Sequence, residues 1–344
     1  MRKNGVTSKD VAKLANVSQA TVSYVLNNTS GKTISERTRK LVLKAAKDLN
    51  YTPNNAARVL KTNQANCIAI RLATNLALPR YHSVIQGIRS YLEPMGHNIL
   101  LCSGKTRSGR FPDYINACIN TQADGIIYVS SDYQDIPDEE LDFIQSHNIP
   151  LVAIDCMKEN LSVNSVIYDY FASSYVCTDY LIQKGFKKIC YIRPEYDSAK
   201  EEAREKGVKA AVHSTEGVEL RIEKLFTQDI NSSELINTPL FSEPNKKLNT
   251  HIRNIITSAP NDVSFVSSFG NFKDVLANAL LHKHLQDPKA DKAPWHTRAA
   301  NYHFVHYEAG LESARSLLDV FNENMPVRKI TLKPILDIID PELF

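Results

Sequence analysis

From Cys67 onward the chain alternates short, mostly apolar runs with segments of helical periodicity, and no other feature restricts its fold as tightly. The runs at 68–72, 98–102, 125–129, 151–154, 188–192 and 263–267 are of strand length and predict strands. Between them, helical spacing predicts helices near 81–93, 110–121, 137–146, 171–184, 198–213, 248–258 and 273–286. Parallel strands cannot be joined by a tight turn and need a crossover, so this alternation implies α/β layers with parallel sheets. The 278 residues from Cys67 to Phe344 exceed what one core comfortably supports. Two lobes are therefore expected, with the chain crossing near Asp169 and returning near residue 300. Open sheets of this kind hold ligands beyond the carboxyl ends of their strands, which places any site in the cleft between the lobes.

The amino-terminal residues have a different character. The whole chain carries a net charge of +3, yet residues 1–63 hold twelve Lys/Arg against three Asp/Glu, a net +9. The rest holds 29 basic against 35 acidic residues, a net −6. A basic excess spread over an entire prospective domain points to a polyanionic partner such as DNA. Within it, Thr7 and Asp10 have capping-box spacing, and Val11, Leu14 and Ala15 then recur as an inward face, predicting a first helix from Ser8 to Ala15. Asn16 tolerates a left-handed turn, Val17 plugs the corner, and Ser18 caps a second helix that runs through Leu26. Val22, Val25 and Leu26 face inward on that helix, leaving Gln19, Ala20, Ser23, Tyr24 and Asn27 to a partner. Two short helices joined by so tight a turn form a helix-turn-helix, the second being the recognition helix. Ser35 opens a third helix with Val42, Ala45 and Leu49 inside and Arg37, Arg39, Lys40, Lys44 and Lys47 largely outside.

The following run, Tyr51-Thr-Pro-Asn-Asn-Ala-Ala-Arg58-Val-Leu60-Lys61, is less generic. Pro53 ends the bundle, and Asn54 or Asn55 caps a helix of one to two turns that displays Ala57, Arg58, Leu60 and Lys61. So short a helix is marginal alone and would order on DNA. Leu60 there either wedges open a base step from the minor groove or packs on the body.

Taken together, SKDVAKLANVSQATVSYVLN over 8–27, the third helix and the Y-x-P-N-x-x-A-R-x-L run resemble the lactose-repressor (LacI/GalR) family of bacterial transcription regulators. The resemblance implies that Gln19, Ala20 and Tyr24 face base edges in the major groove. Ser18, Thr21, Ser23 and Asn27 would hold phosphates, and Leu60 would be the minor-groove lever. Thr7, Asn54, Ala57, Arg58 and Lys61 complete the expected DNA-contacting set. Tyr24 stands where many members carry Arg or His, and its single hydroxyl cannot make the bidentate contact with which Arg reads guanine, so a different operator preference is expected.

For the body the resemblance implies a two-lobed, periplasmic-binding-protein-like (type I) α/β unit. The expected organisation is a head at 1–50, a hinge at 51–66, a first lobe from 67–168 with about 300–325, and a second lobe from 169–299 with about 326–344. Pro79-Arg80-Tyr81 resembles the family's N-P-F-F loop, with Leu78 and Arg80 as departures. Asp155 ends the fourth strand, where a cleft carboxylate is common. The stretch from Asp169 to Ile192 resembles the D-N-x-x-G…G-H-x-x-I segment, with Tyr170 in place of Asn, and Arg204-Glu-Lys-Gly207 matches R-x-x-G. The implied effector-binding residues are Tyr81, Asp155, Asp169 and Arg204. An Arg and a carboxylate in one cleft suit hydroxyl-rich or anionic ligands. Beyond 263–269 the resemblance lapses: Phe269-Gly270 stands where an N-D pair is expected, and G-F-D-D and L-T-T segments are not recognisable in 286–302. Either the effector is atypical or small-molecule control has been lost. The run from Tyr307 to Leu318 again resembles the family's penultimate helix.

Catalytic chemistry finds little support. Ser103-Gly104-Lys105-Thr106 ends like a phosphate-cradling loop, but Ile99 occupies the position of the required first glycine. His296, His303, His306 and Glu308 form no H-E-x-x-H, and neither G-x-S-x-G nor G-x-G-x-x-G occurs. No cofactor, metal or catalytic residue is expected. The six cysteines are at least thirteen residues apart and read as reduced core thiols. No stretch approaches the roughly 18 apolar residues of a membrane span, and a cytoplasmic location is expected. The expected function is repression by a homodimer on a pseudo-palindromic double-stranded operator, its affinity set by a small effector such as a sugar or sugar derivative, at a carbohydrate-utilisation operon. The alternative is a sugar-binding protein or sugar-modifying α/β enzyme that binds no operator.

Overall fold

The computed structural model of the chain describes residues 6–26, 33–51, 64–72, 79–106, 110–130, 135–158, 161–225, 243–268, 273–289, 293–321 and 326–339. It divides into two compact units, Met1–Ala65 and Asn66–Phe344.

Among its described residues the first unit holds three helices, α1 (Ser8–Ala15), α2 (Gln19–Leu26) and α3 (Glu36–Asp48). Each begins where the local chemistry says it should. The Asp10 carboxylate accepts from the Thr7 amide at 2.8 Å and the Thr7 hydroxyl at 2.7 Å, closing the start of α1. Asn16 ends α1 in the left-handed region at φ 51°. The Ser18 hydroxyl accepts from the Thr21 amide at 3.1 Å, and Ser35 accepts from that of Thr38 at 3.2 Å, so α2 and α3 each carry a side-chain N-cap. Val11, Ala12, Ala15, Val22, Val25, Val42, Ala45 and Ala46 form the core, flanked by Val17, Leu26 and Leu49. One expectation is corrected: Leu14 is 55% exposed, and the smaller Ala12 is buried in its place. The bundle is thin, so α1 buries the stripe 11, 12 and 15 rather than a wider face.

The second unit contains two sheets. The first has six strands, β1 (Cys67–Leu72), β2 (Asn98–Cys102), β3 (Gly125–Val129), β4 (Leu151–Ile154), β5 (Asn164–Tyr168) and β10 (Lys329–Leu332), in the order β10-β5-β4-β3-β1-β2 and all parallel. Its helices are α4 (Pro79–Leu92), α5 (Asp113–Ile119), α6 (Asp138–Ser146) and α11 (His306–Phe321). The second sheet has β6 (Lys188–Pro194), β7 (Glu219–Leu225), β8 (Val263–Ser267), β9 (Ala299–His303) and β11 (Ile335–Ile338), in the order β11-β9-β8-β6-β7. Among the described residues only the β9–β11 pairing of this sheet is antiparallel. Helices α7 (Tyr170–Gln183), α8 (Ala199–His213), α9 (Glu243–Ser258) and α10 (Lys273–Gln286) accompany it.

Central strands are apolar on both faces because both faces are covered. Ile68, Ile70, Ile127 and Val129 pack beneath α4 and α11, where Val84, Ile88 and Leu317 descend. The alternate residues Ala69, Ile126 and Tyr128 meet Tyr114 and Ile115 of α5 and Leu141 and Ile144 of α6. In the second sheet Ile192 and Phe265 meet Ile252, Ile256, Leu276 and Leu280, and Ile189, Tyr191 and Val266 meet Leu181 and Val208. Helices α4 and α11 approach so closely that a methyl group on Gly87 would collide with the Tyr307 carbonyl, and one on Gly310 with that of Val84.

The chain passes between the sheets three times, at Asp169, at Phe304–Val305 and at Lys333–Pro334. The assignment of 326–344 wholly to the second lobe is therefore corrected: β10 pairs with β5 through Lys329↔Ser165 to Leu332↔Tyr168 and belongs to the first sheet. Likewise β9 belongs to the second sheet, so the return to the first comes a few residues after 300. Strands β5, β7, β9, β10 and β11 were not predicted. β7 reads Glu-Leu-Arg-Ile-Glu-Lys-Leu at a sheet edge, where half the residues meet water, and β10 and β11 have only four residues each.

Candidate functional site

The candidate nucleic-acid surface lies on the first unit. Helix α2 buries Val22 and Val25 and leaves Gln19 and Ala20 exposed, with Thr21, Ser23 and Tyr24 half-buried. The Gln19 side-chain amide donates to the Ser8 hydroxyl at 2.7 Å, tying the start of α2 to the start of α1. The Ser18 and Thr21 hydroxyls lie 2.9 Å apart, so both are oriented along the first turn of α2. Thr7 is exposed at the head of α1, occupied with Asp10. Donation from the Thr7 backbone amide holds the Asp10 carboxyl below its usual pKa. Lys40, Lys44 and Lys47 line the exposed side of α3. Of the predicted DNA-contacting set, Asn27, Asn54, Ala57, Arg58, Leu60 and Lys61 lie outside the described residues.

The second candidate site lies within the body, where the carboxyl ends of β4 and β6 face each other across the lobe boundary. Asp155 follows β4 with φ 59°, a left-handed conformation that Asp tolerates better than most residues. Its carboxylate is buried and takes two donors: the Tyr170 hydroxyl at 2.7 Å and the Lys200 ammonium at 2.9 Å. Tyr170 begins α7 just after the crossing and packs with the first-lobe core, whereas Lys200 lies in the first turn of α8, so a first-lobe carboxylate is held by an ammonium of the second lobe. Arg204, one turn beyond Lys200, ion-pairs with buried Glu201 and lies 4.3 Å from the centre of the Tyr170 ring. Its Nε donates to the Tyr302 hydroxyl at 3.1 Å, and that hydroxyl donates to the Ser268 carbonyl at 2.8 Å. Burial pushes the Tyr302 phenol up to about 12, so it keeps the proton it donates. Burial likewise raises the Tyr191 phenol, whose hydroxyl lies 3.5 Å from Glu201.

Helix α8 reaches this position because Gly207 lets it approach α7. A methyl group on Gly207 would meet the Phe171 carbonyl and the Ser174 hydroxyl well inside contact distance. That same hydroxyl donates to the Arg204 carbonyl at 2.5 Å. The R-x-x-G spacing thus couples a cleft guanidinium to a helix contact one turn later. Around the crossings, Tyr168, Tyr170 and Phe304 form an aromatic hub, with Phe304 centred 4.6 Å from Tyr168 and 5.0 Å from Tyr170.

The structure brings Asp155 and Arg204 together around Tyr170, the carboxylate at its hydroxyl and the guanidinium over its ring. Tyr81 is placed differently, in the first-lobe core, with its hydroxyl accepting from Arg80 at 3.0 Å. Asp169 spends one carboxylate oxygen on the Ala172 amide at 2.9 Å and caps α7. Sequence reading missed Lys200, Glu201 and Tyr302. The first two were legible as positions four and three residues before Arg204 on one helix face, whereas Tyr302 comes from an unpredicted strand.

Residues 7–54 match the family of Bacterial regulatory proteins, lacI family, and residues 67–251 match the Periplasmic binding proteins and sugar binding domain of LacI family. The chain belongs to the LacI family. The HTH-type transcriptional repressor PurR of Vibrio atlanticus (strain LGP32) is 34% identical to it over 209 residues, 60% of each chain. That of Actinobacillus pleuropneumoniae serotype 5b (strain L20) is 30% identical over 207 residues, again 60% of each. The match thus spans about 60% of the length of these curated relatives. In fold, this LacI-family chain resembles a lac repressor dimer bound to operator and the anti-inducer ONPF, with TM-score 0.68 and 18% identity over 97% of this chain and 98% of that one. It also resembles the transcriptional regulator CelR in complex with cellobiose, with TM-score 0.56 and 20% identity over 97% and 98%.

The six cysteines of this LacI-family chain are all free thiols. Burial pushes those of Cys102, Cys118 and Cys190 up to about 12, far from the reactive thiolate. No described helix is long and apolar enough to cross a membrane, and no metal-holding cluster occurs among the described residues.

Proposed function

We propose that the protein is a cytoplasmic, sequence-specific transcriptional repressor that binds a pseudo-palindromic operator as a homodimer. The observation that carries this reading is α2: its inner side is locked into the bundle by Val22 and Val25, while Gln19, Ala20 and Thr21 on its capped first turn and Ser23 and Tyr24 on the next are at least partly exposed. Gln19, Ala20 and Tyr24 read base edges; Ser18, Thr21 and Ser23 hold phosphates, with Thr7 beside them. A single such helix spans only a few base pairs, so two heads related by a dyad supply the specificity. Asn27 takes a phosphate, and Asn54, Ala57, Arg58, Leu60 and Lys61 extend the contact into the minor groove, where Leu60 is the lever.

The cleft carrying Asp155 and Arg204, with Asp169 at its margin, receives a small hydroxyl-rich effector, a sugar or sugar derivative, whose binding shifts operator affinity at a carbohydrate-utilisation operon. The shift equals the difference in effector affinity between the two body states. An operator selected from random duplexes, then titrated by mobility shift, tests the proposal. Full-length protein should retain the selected duplex and a chain starting at Gln64 should not. Leu60→Ala should weaken binding while leaving the circular dichroism intact. Equal retention by both chains, or unchanged affinity in Leu60→Ala, would refute respectively the head and the lever.

A further inference from the structure

The charges in the cleft are already matched to one another. Asp155 faces Lys200, and Glu201 faces Arg204; all four residues are more than nine-tenths buried. The Glu201–Arg204 pair lies within one helix, so it moves with the second lobe. The Asp155–Lys200 pair does not: Asp155 is anchored in the first lobe through its amide, which donates to the Val166 carbonyl at 2.8 Å, while Lys200 rides on α8. Separating the lobes must break this pair.

We propose that Lys200 and Asp155 form an interlobe latch, the ammonium joining the two lobes from the position a bridging small molecule would occupy and holding the cleft shut without one. The geometry suits this role. Asp155 presents one oxygen to Lys200 of the second lobe and the other to Tyr170 at the crossing, whose ring packs with the first-lobe core and lies beneath Arg204 and against Phe304. A buried ion pair gains little over two hydrated ions, so the closed and open states lie close in free energy and the latch can be released. Removing one partner is different, because it strands the other charge in the closed cleft. Any effector of this cleft either displaces Lys200 from Asp155 or binds elsewhere along the boundary. The latch itself concerns only the body and stands whether or not the head binds an operator.

Small-angle scattering on the full-length protein, refolded from denaturant and dialysed to remove small molecules, tests it. Wild type should scatter as the closed form. Lys200→Met strands the Asp155 carboxylate and should lower the closed-to-open ratio by on the order of a hundredfold, raising the radius of gyration at unchanged oligomeric mass. Asp155→Asn, which keeps a residue tolerant of left-handed φ, should open the lobes in the same way. The double variant buries no unpaired charge but has lost the latch as well, so its radius should fall between those of wild type and the single variants. Circular dichroism confirms that each variant is folded, and Lys200→Gln replaces Lys200→Met should the latter not fold. Single variants that scatter like wild type, or a double variant as closed as wild type, would overturn the latch. Loss of operator binding in a variant whose scattering is unchanged would instead bear on the regulatory reading.

Discussion

Gly207→Ala is the perturbation whose sign the structure decides most sharply. In an exposed helix interior this change stabilises by about 1 kcal/mol, since Ala is the better helix former. Here the new methyl group would be driven into the Phe171 carbonyl and the Ser174 hydroxyl. Phe171 belongs to the backbone of α7 and cannot rotate away, so α7 and α8 must separate. Overpacking of this kind costs about 1–3 kcal/mol. Displacing Ser174 also disrupts its 2.5 Å bond to the Arg204 carbonyl, worth about 1 kcal/mol. Set against the propensity gain, the net expectation is a destabilisation of about 1–3 kcal/mol. A lowered urea midpoint at unchanged slope would show it, and Arg204 should move relative to Tyr302. A stabilisation of about 1 kcal/mol would refute the reasoning, because it would mean that the helices are not in contact through Gly207.

Three further outcomes are expected. Arg298 is buried, with its guanidinium donating to the Pro260 carbonyl at 3.1 Å and the Val263 carbonyl at 2.9 Å, so Arg298→Met should cost about 2–4 kcal/mol in a denaturation midpoint by orphaning those acceptors. Asp10→Asn should speed hydrogen exchange of the α1 amides at neutral pH. Because the Asp10 pKa is lowered on folding, its contribution is complete above the unfolded value of about 4 and disappears as pH falls through the folded value, so the two proteins should converge in acid. Tyr24→Arg, assayed by operator selection, should shift preference toward a guanine at one half-site position, by about 1–3 kcal/mol for a bidentate contact.

The head was almost fully legible before any coordinates. Thr7, Asn16, Ser18 and Ser35 each act within three or four residues of themselves, and local chemistry of that range does not depend on the rest of the fold. Leu14 was the exception, because which side of α1 is covered depends on how α3 crosses it. In the body, the buried strands β1, β3, β4, β6 and β8 were readable because both faces are apolar. β7, β10 and β11 were not, since edge position and, for the last two, short length leave little periodicity to detect; β5 lies inside the sheet but mixes Asn164, Ser165 and Tyr168 into its run, which hides the apolar signal. The cleft was read in part: Asp155 and Arg204 stood out through the resemblance, but Tyr81 packs in a core and Asp169 caps a helix.

By itself, the amino-acid sequence determined the caps, the turn at Asn16, the basic head on an acidic body and the α/β alternation, because each is written in residues that neighbour one another along the chain. Only the tertiary structure decided that Lys200 meets Asp155 across 45 residues, that Tyr302 reaches Arg204 across 98, and that β10 closes the first sheet beside β5. Those pairings depend on three crossings between lobes and on a helix contact made possible by a missing methyl group. Side chains so far apart in sequence share no local signal, and only the packing of sheets against helices brings their charges together.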